Sequence, residues 1–123
     1  LTKAPYAYAA TAPADSRLIF LAGSCPLNED GTTAHVGNYA AQATKCIENM
    51  RIALHEAGAS MDDVISTRVL VASGKQADLV SAWEVVRKAF GTSTVPPSTL
   101  LGVTVLGYDN QLVEVEAIAA VRD

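Results

Sequence analysis

The sequence predicts an α+β fold: a mixed sheet with two helices packed on one face. Two stretches with helical periodicity lie between runs of alternating or β-branched residues bounded by Gly and Pro. The order strand–helix–strand occurs twice, and each such unit needs a crossover that leaves its strands parallel or separated within one sheet. The length, 123 residues, bounds the chain to one domain over 1–123, large enough to fold without disulfide or metal staples.

Taken in order, Pro5 to Thr11 reads as a short strand, followed by a turn through Pro13 and Asp15. Arg17 to Gly23 is a second strand, bounded by Gly23 and Pro26. Pro26 to Gly37 is a loop with an Asp30-Gly31 turn signal. Asn38 can cap a helix running to Ala57, with Ala43, Ile47, Met50, Leu54 and Ala57 on one face and Gly58 as its stop. Ser60 with Asp63 resembles a short capping turn. Val64 to Ala72 is a strand, broken by Ser73, Gly74 and Lys75. Gln76 to Phe90 is a second helix, its apolar face made by Leu79, Trp83, Val86 and Phe90. Pro96-Pro97 excludes helix before two last strands, Ser98–Leu106 and Leu112–Val121, joined by a turn at 107–110. The predicted order is β-β-α-β-α-β-β, with each terminal pair an antiparallel hairpin.

Half of the residues are hydrophobic and only 18% are charged, which excludes a disordered chain. No apolar run approaches the roughly 20 residues of a membrane span; Leu18 to Ala22 ends at Gly23. Nine Lys and Arg face thirteen Asp and Glu, for a net charge of −4. The basic residues are scattered, which argues against a nucleic-acid partner. Cys25 and Cys46 read as two free thiols of a reducing compartment, and no signal-peptide pattern is visible; both point to the cytoplasm. Cys25, Cys46, His35 and His55 show no metal-ligand spacing, which makes a metal site weakly supported, and neither a phosphate loop nor a nucleophile elbow occurs.

Strand alternation locates the apolar surplus. Val113, Val115, Ala117, Ala119 and Val121 share one face of the last strand; Leu112, Glu114, Glu116, Ile118 and Ala120 share the other. Both faces of the sheet are therefore largely apolar, while two helices, each about 10 Å wide, cover about four strands on one side only. The uncovered face predicts a homo-oligomer; a monomer with a hydrophobic ligand groove is the alternative.

Glu114 and Glu116 stand out on that second face. A carboxylate on an otherwise apolar surface suits proton transfer if desolvated, or it pairs with an arginine or a backbone donor. Arg68 can bind an anion or pair with a glutamate. Tyr6 and Tyr8 offer phenol groups or ring walls; His35 lies in the long loop, and His55 near a helix end, where a cation suits the macrodipole.

The ordered set Ala4-Pro5-Tyr6, Leu18 to Pro26, Ala40-Ala41-Gln42-Ala43 with Asn49, Val95-Pro96-Pro97-Ser98, and Val113-Glu114-Val115-Glu116-Ala117-Ile118-Ala119 resembles the YjgF/RidA family over nearly the whole chain. The resemblance implies a six-stranded-type sheet, a homotrimer with small-molecule clefts between subunits, and hydrolysis of reactive imines and enamines with release of ammonia. It implies no metal or organic cofactor. It places the water-positioning glutamate on Glu114, the cleft tyrosine on Tyr6 and the cleft glycine on Gly23. The family's carboxylate-binding arginine falls on Ser98, a hydroxyl position on Ala22 and a cysteine on Leu100. A serine cannot supply the charged fork of an arginine, so the resemblance implies a substrate other than the usual 2-imino acids. Arg17 and Arg68 are candidates to replace that cation, and His35 and Cys25 to reach the cleft. A non-catalytic metabolite-binding trimer is the alternative reading; endoribonuclease, an older family label, fits the acidic composition poorly.

Overall fold

Asn38 starts the longer helix as its side chain accepts from the Ala41 N–H at 2.9 Å. The computed structural model, which describes residues 2–123, carries that helix, α1, over Tyr39–Glu56, and Gly58 follows it at φ +85°. The second helix, α2, spans Gln76–Ala89. The strands are β1 (Arg17–Phe20), β2 (Val64–Val71), β3 (Ser98–Gly102) and β4 (Val113–Val121), with a 3-10 turn over Met61–Asp63 closed by the Ser60–Asp63 capping box.

The four strands form one mixed sheet in the order β1-β4-β2-β3. The β2–α2–β3 crossover gives a parallel pair with Val69 opposite Leu100. β4 runs antiparallel to both β1 and β2, so β1 and β2 are parallel to each other but separated, as their crossover requires.

The helices cover one face. Ala43, Cys46, Met50 and Leu54 of α1, and Ala82 and Val86 of α2, are fully buried with Val69, Val71, Val113, Val115 and Ala119. The alternation along β4 places its apolar set as the sequence pattern predicts, and the opposite face keeps Leu18, Phe20 and Leu101 exposed. Gln42 is buried to 0% exposure yet satisfied: it accepts from the Leu112 N–H at 2.7 Å and donates to the Asn110 and His35 carbonyls. It ties the long loop and the turn before β4 to the first turn of α1.

Three expectations need correction. Residues 5–11 form no strand. Their Tyr rings pack instead of entering a ladder: Tyr6 meets Trp83 edge-on at 5.9 Å and Tyr8 meets Tyr6 at 5.7 Å, with a backbone bond from Ala7 to Val95. The terminal strands do not form hairpins, because β4 pairs through Val69↔Val115 on the far side of β2 from β3. Among the described residues the sheet has four strands, not the six the resemblance implies. The boundaries also tighten. β1 ends at Phe20, although Leu21 and Ser24 still donate to β4 carbonyls on either side of Ala22 and Gly23. β3 stops at Gly102, where its partner β2 has just ended.

Candidate functional site

Glu114 sits one residue into β4, where the chain leaving β1 bends past it. Its Oε1 accepts two hydrogen bonds, from the Gln111 amide at 3.1 Å and from the Cys25 thiol at 3.3 Å. Its Oε2 lies over Gly23, and a Cβ added to Gly23 would run into the carboxylate. Among the described residues no chain acceptor takes the Gly23 N–H, whereas the neighbouring Ser24 N–H donates to Val115. Glycine thus permits a close approach of backbone and carboxylate that no other residue allows.

Each partner is fixed in turn. Gln111, 4% exposed, also donates to the Val113 carbonyl and accepts from the Tyr108 N–H. The Cys25 carbonyl and that of Leu27 are held by the Asn49 amide of α1 at 2.9 and 3.0 Å. Burial, then the hydrogen bond to Glu114 and its negative charge, push the Cys25 thiol up to about 11. It is a proton donor at neutral pH, not a thiolate nucleophile. Cys46 is raised as well, chiefly by burial.

A second group of candidate residues lies elsewhere. Tyr6, Tyr8, Arg68, Trp83, Ser98 and Leu100 are among the residues that line a cavity of about 680 Å³ beside the start of β3. The Ser98 hydroxyl donates its one proton to the Pro96 carbonyl at 2.9 Å and shares a 2.5 Å bond with Thr67 Oγ1. With that proton committed, Ser98 has none left for a ligand anion.

The register separates the two groups. Glu114 stands opposite Leu70 and Ser98 opposite Thr67; residues three apart on one strand point to opposite faces. Glu114 therefore belongs to the open face of the sheet, and Ser98 and Leu100 to the helix-covered face at the β3 edge. Of the remaining candidates, Arg68 pairs with Glu116 at 3.3 Å on the open face. Arg17 is held at the other end of the sheet by Asp123 and the Ala57 carbonyl. His35 is an exposed loop residue at φ +49°, and Ala22 is exposed beside Gly23. Among the described residues no cluster of three or more His, Cys, Asp or Glu could hold a metal, and no helix is long and apolar enough to cross a membrane. Gln111 is the residue that sequence reasoning missed; its position three before Glu114, in the turn entering the strand, was the available signal.

The fold is that of the Rid proteins. A Rid-family protein of unknown function, YyfB from Yersinia pestis, superposes with a TM-score of 0.87 at 23% identity, over 95% of this chain and 87% of its own. A member of the YjgF/YER057c/UK114 family from Mycobacterium tuberculosis is 30% identical, with a TM-score of 0.69 over 98% of this chain and 90% of its own. A RutC family protein of Pyrococcus abyssi is 35% identical over 101 residues, 82% of this chain and 76% of that protein. The family described as endoribonuclease L-PSP matches residues 1–121. The chain belongs to this family, the YjgF/RidA family.

Proposed function

We propose that the chain is a homotrimeric hydrolase of a small, uncharged imine or enamine, acting in clefts between subunits. The observation that carries this reading is the Glu114 carboxylate, held by two donors with its second oxygen over the Gly23 backbone. In the proposed reaction Glu114 orients a water and takes a proton as its oxygen adds to the C=N carbon. Glu114 passes that proton to the nitrogen, and the hydroxyl proton of the resulting carbinolamine follows it by way of the same carboxylate as C=O forms and the C–N bond breaks, so a carbonyl compound and ammonia leave; an enamine enters as its imine tautomer. The Gly23 N–H polarises the substrate, and Tyr6, Ala22, Ser98 and Leu100 contact it. No cofactor enters the reaction.

Assembly is part of the proposal because Glu114 and Ser98 occupy opposite faces of one sheet, so a cleft using both draws them from two copies. The exposed Leu18, Phe20 and Leu101 supply an apolar surface for that contact. The cavity supports the choice of an uncharged substrate: Tyr6, Tyr8 and Trp83 offer rings, the Ser98 proton is taken up within the chain, and Arg68 is paired with Glu116.

The commitment of Ser98 and the apolar Leu100 also favour a second reading, a trimer that holds a metabolite without transforming it. Endoribonuclease activity finds less support, since Arg17, Lys45, Arg68, Arg87 and Arg122 all pair with carboxylates, leaving little basic surface for phosphates. The test is ammonia release from enamines generated in situ by a dehydratase or an amino-acid oxidase, carboxylated and neutral, with wild type and Glu114→Gln. A Glu114-dependent rate on neutral imines is expected; no acceleration on any of them favours the binding reading.

A further inference from the structure

Glu114 is one of two carboxylates on the open face of β4, and the two have different surroundings. Glu116 meets the exposed Arg68 in a single contact. Glu114 has no arginine; its Oε1 is enclosed by two neutral donors that come from different parts of the chain, Cys25 in the segment after β1 and Gln111 in the turn before β4. Both donors are anchored away from the carboxylate. Asn49 of α1 pins the Cys25 backbone, and Gln111 spends its remaining hydrogen-bonding capacity on Tyr108 and Val113. Gln111 cannot swing away without breaking those bonds, and the Cys25 sulfur, on its fixed backbone, also lies 3.5 Å from the Gly23 carbonyl.

We propose that Cys25 and Gln111 are positioning residues for Glu114, saturating Oε1 so that Oε2, over Gly23, is the oxygen that handles water. This rests on the hydrolytic reading above for the role of Oε2, while the positioning itself is a statement about side-chain geometry. The two oxygens of a free carboxylate are equivalent and rotate. Two donors converging on one oxygen remove that equivalence and leave the other with its lone pairs open to a ligand. Both donors are neutral side chains, so neither forms an ion pair with Glu114 of the kind Arg68 forms with Glu116. A thiol suits this position: a thiolate beside the carboxylate would meet strong like-charge repulsion, and the raised titration of Cys25 keeps the donor proton in place.

The test uses Cys25→Ala, Cys25→Ser, Gln111→Met and the Cys25→Ala/Gln111→Met pair, each studied by crystallography of the full chain and by ammonia release from a neutral enamine. In Cys25→Ala and in the double variant the Glu114 side chain is expected to leave its place over Gly23, and Cys25→Ser, which restores a donor, to return it. In turnover, Cys25→Ala is expected to lose about tenfold in kcat and the double variant about a hundredfold, with KM within twofold, since misplacing a reacting group by an ångström has effects of that order. A merely structural thiol would instead lower stability without splitting kcat from KM, and Cys25→Ser would bring no rescue. An unmoved Glu114 in both Cys25→Ala and the double variant overturns the proposal, whatever the activity. Wild-type ammonia release by Glu114→Gln overturns the hydrolytic reading and with it the assignment of Oε2, while the crystal structures still decide the positioning. Should Gln111→Met fail to fold, the Cys25 pair of variants decides alone.

Discussion

Phe20 stands on the open face of edge strand β1 with 71% of its surface exposed, opposite Ile118 of β4. In a monomer nothing accounts for a phenyl ring in that place; in the proposed trimer it is buried three times over. Full burial of such a side chain is worth about 2–3 kcal/mol, so covering the exposed fraction contributes about 2 kcal/mol per copy and about 6 kcal/mol per trimer. Phe20→Ser removes that contribution while touching little of the core, because the ring faces away from the helices. Six kcal/mol corresponds to about four decades in the association constant. Since trimer formation depends on the square of monomer concentration, the midpoint moves to about a hundredfold higher concentration. Sedimentation velocity over a dilution series reads this directly: wild type at three times the 12.9 kDa chain mass, the variant falling to one chain mass at concentrations where wild type stays assembled. Circular dichroism should show both equally folded. A wild type that sediments as a single chain, or a variant whose midpoint does not move, refutes the assignment of the open face to self-association.

Other perturbations probe the core, the carboxylate and the thiol. Gln42→Leu strips partners from the half-buried Leu112 N–H and the exposed Asn110 carbonyl; at about 1–3 kcal/mol for the unpaired donor, a loss of about 2 kcal/mol and a fall in Tm of about 7 °C are expected by calorimetry. Gly23→Ala places a methyl group in the Glu114 carboxylate, and a crystal structure should show the carboxylate displaced, with ammonia release lost. Cys25 should resist iodoacetamide at pH 7 and react only as pH approaches about 11, with a lower midpoint in Glu114→Gln. The same thiol contributes to alkaline stability. Its folded-state value lies above the ordinary 9.0, so the native state holds the proton more tightly. The contribution is whole below about pH 9 and is lost as pH rises through about 11. Denaturant titrations should fall less steeply with pH over that window in Cys25→Ala than in wild type.

The parts of the fold legible in the sequence are those where a local pattern and a tertiary need coincide. Asn38 caps α1, and the stripe Ala43, Ile47, Met50, Leu54 faces the sheet, because one amphipathic period serves both the helix and its burial. The alternation of β4 reads correctly for the same reason. Errors arise where two local patterns are degenerate. Tyr6 and Tyr8 have the spacing of a strand, but the same spacing lets one ring meet Trp83 and the other stack edge-on against it. A turn at 107–110 looks like a hairpin, yet strand adjacency is settled by where α2 returns the chain. It delivers β3 to one side of β2 and leaves the other side for β4.

The site divides along the same line. Glu114 is conspicuous because a charge on an apolar strand breaks the pattern around it, and Gly23 because a glycine ends a strand. Cys25 and Gln111 break no pattern: each sits in irregular chain, and only the fold brings them to one oxygen. Ser98 shows the converse. Sequence reveals what it lacks, a cation, but its two hydrogen bonds reveal something further. Pro96 offers a carbonyl and Thr67 a hydroxyl at the β2–β3 junction, so the serine closes the strand entry rather than leaving an empty donor at the cavity wall. Restoring a charge there therefore requires more than Ser98→Arg. The new side chain must leave the Pro96 carbonyl without its donor and enter a cavity where Arg68 already stands beside Glu116. Ser98→Arg is therefore expected to bring no hydrolysis of a carboxylated imine, as read by ammonia release; a gain of that activity would refute the uncharged substrate of the proposed function.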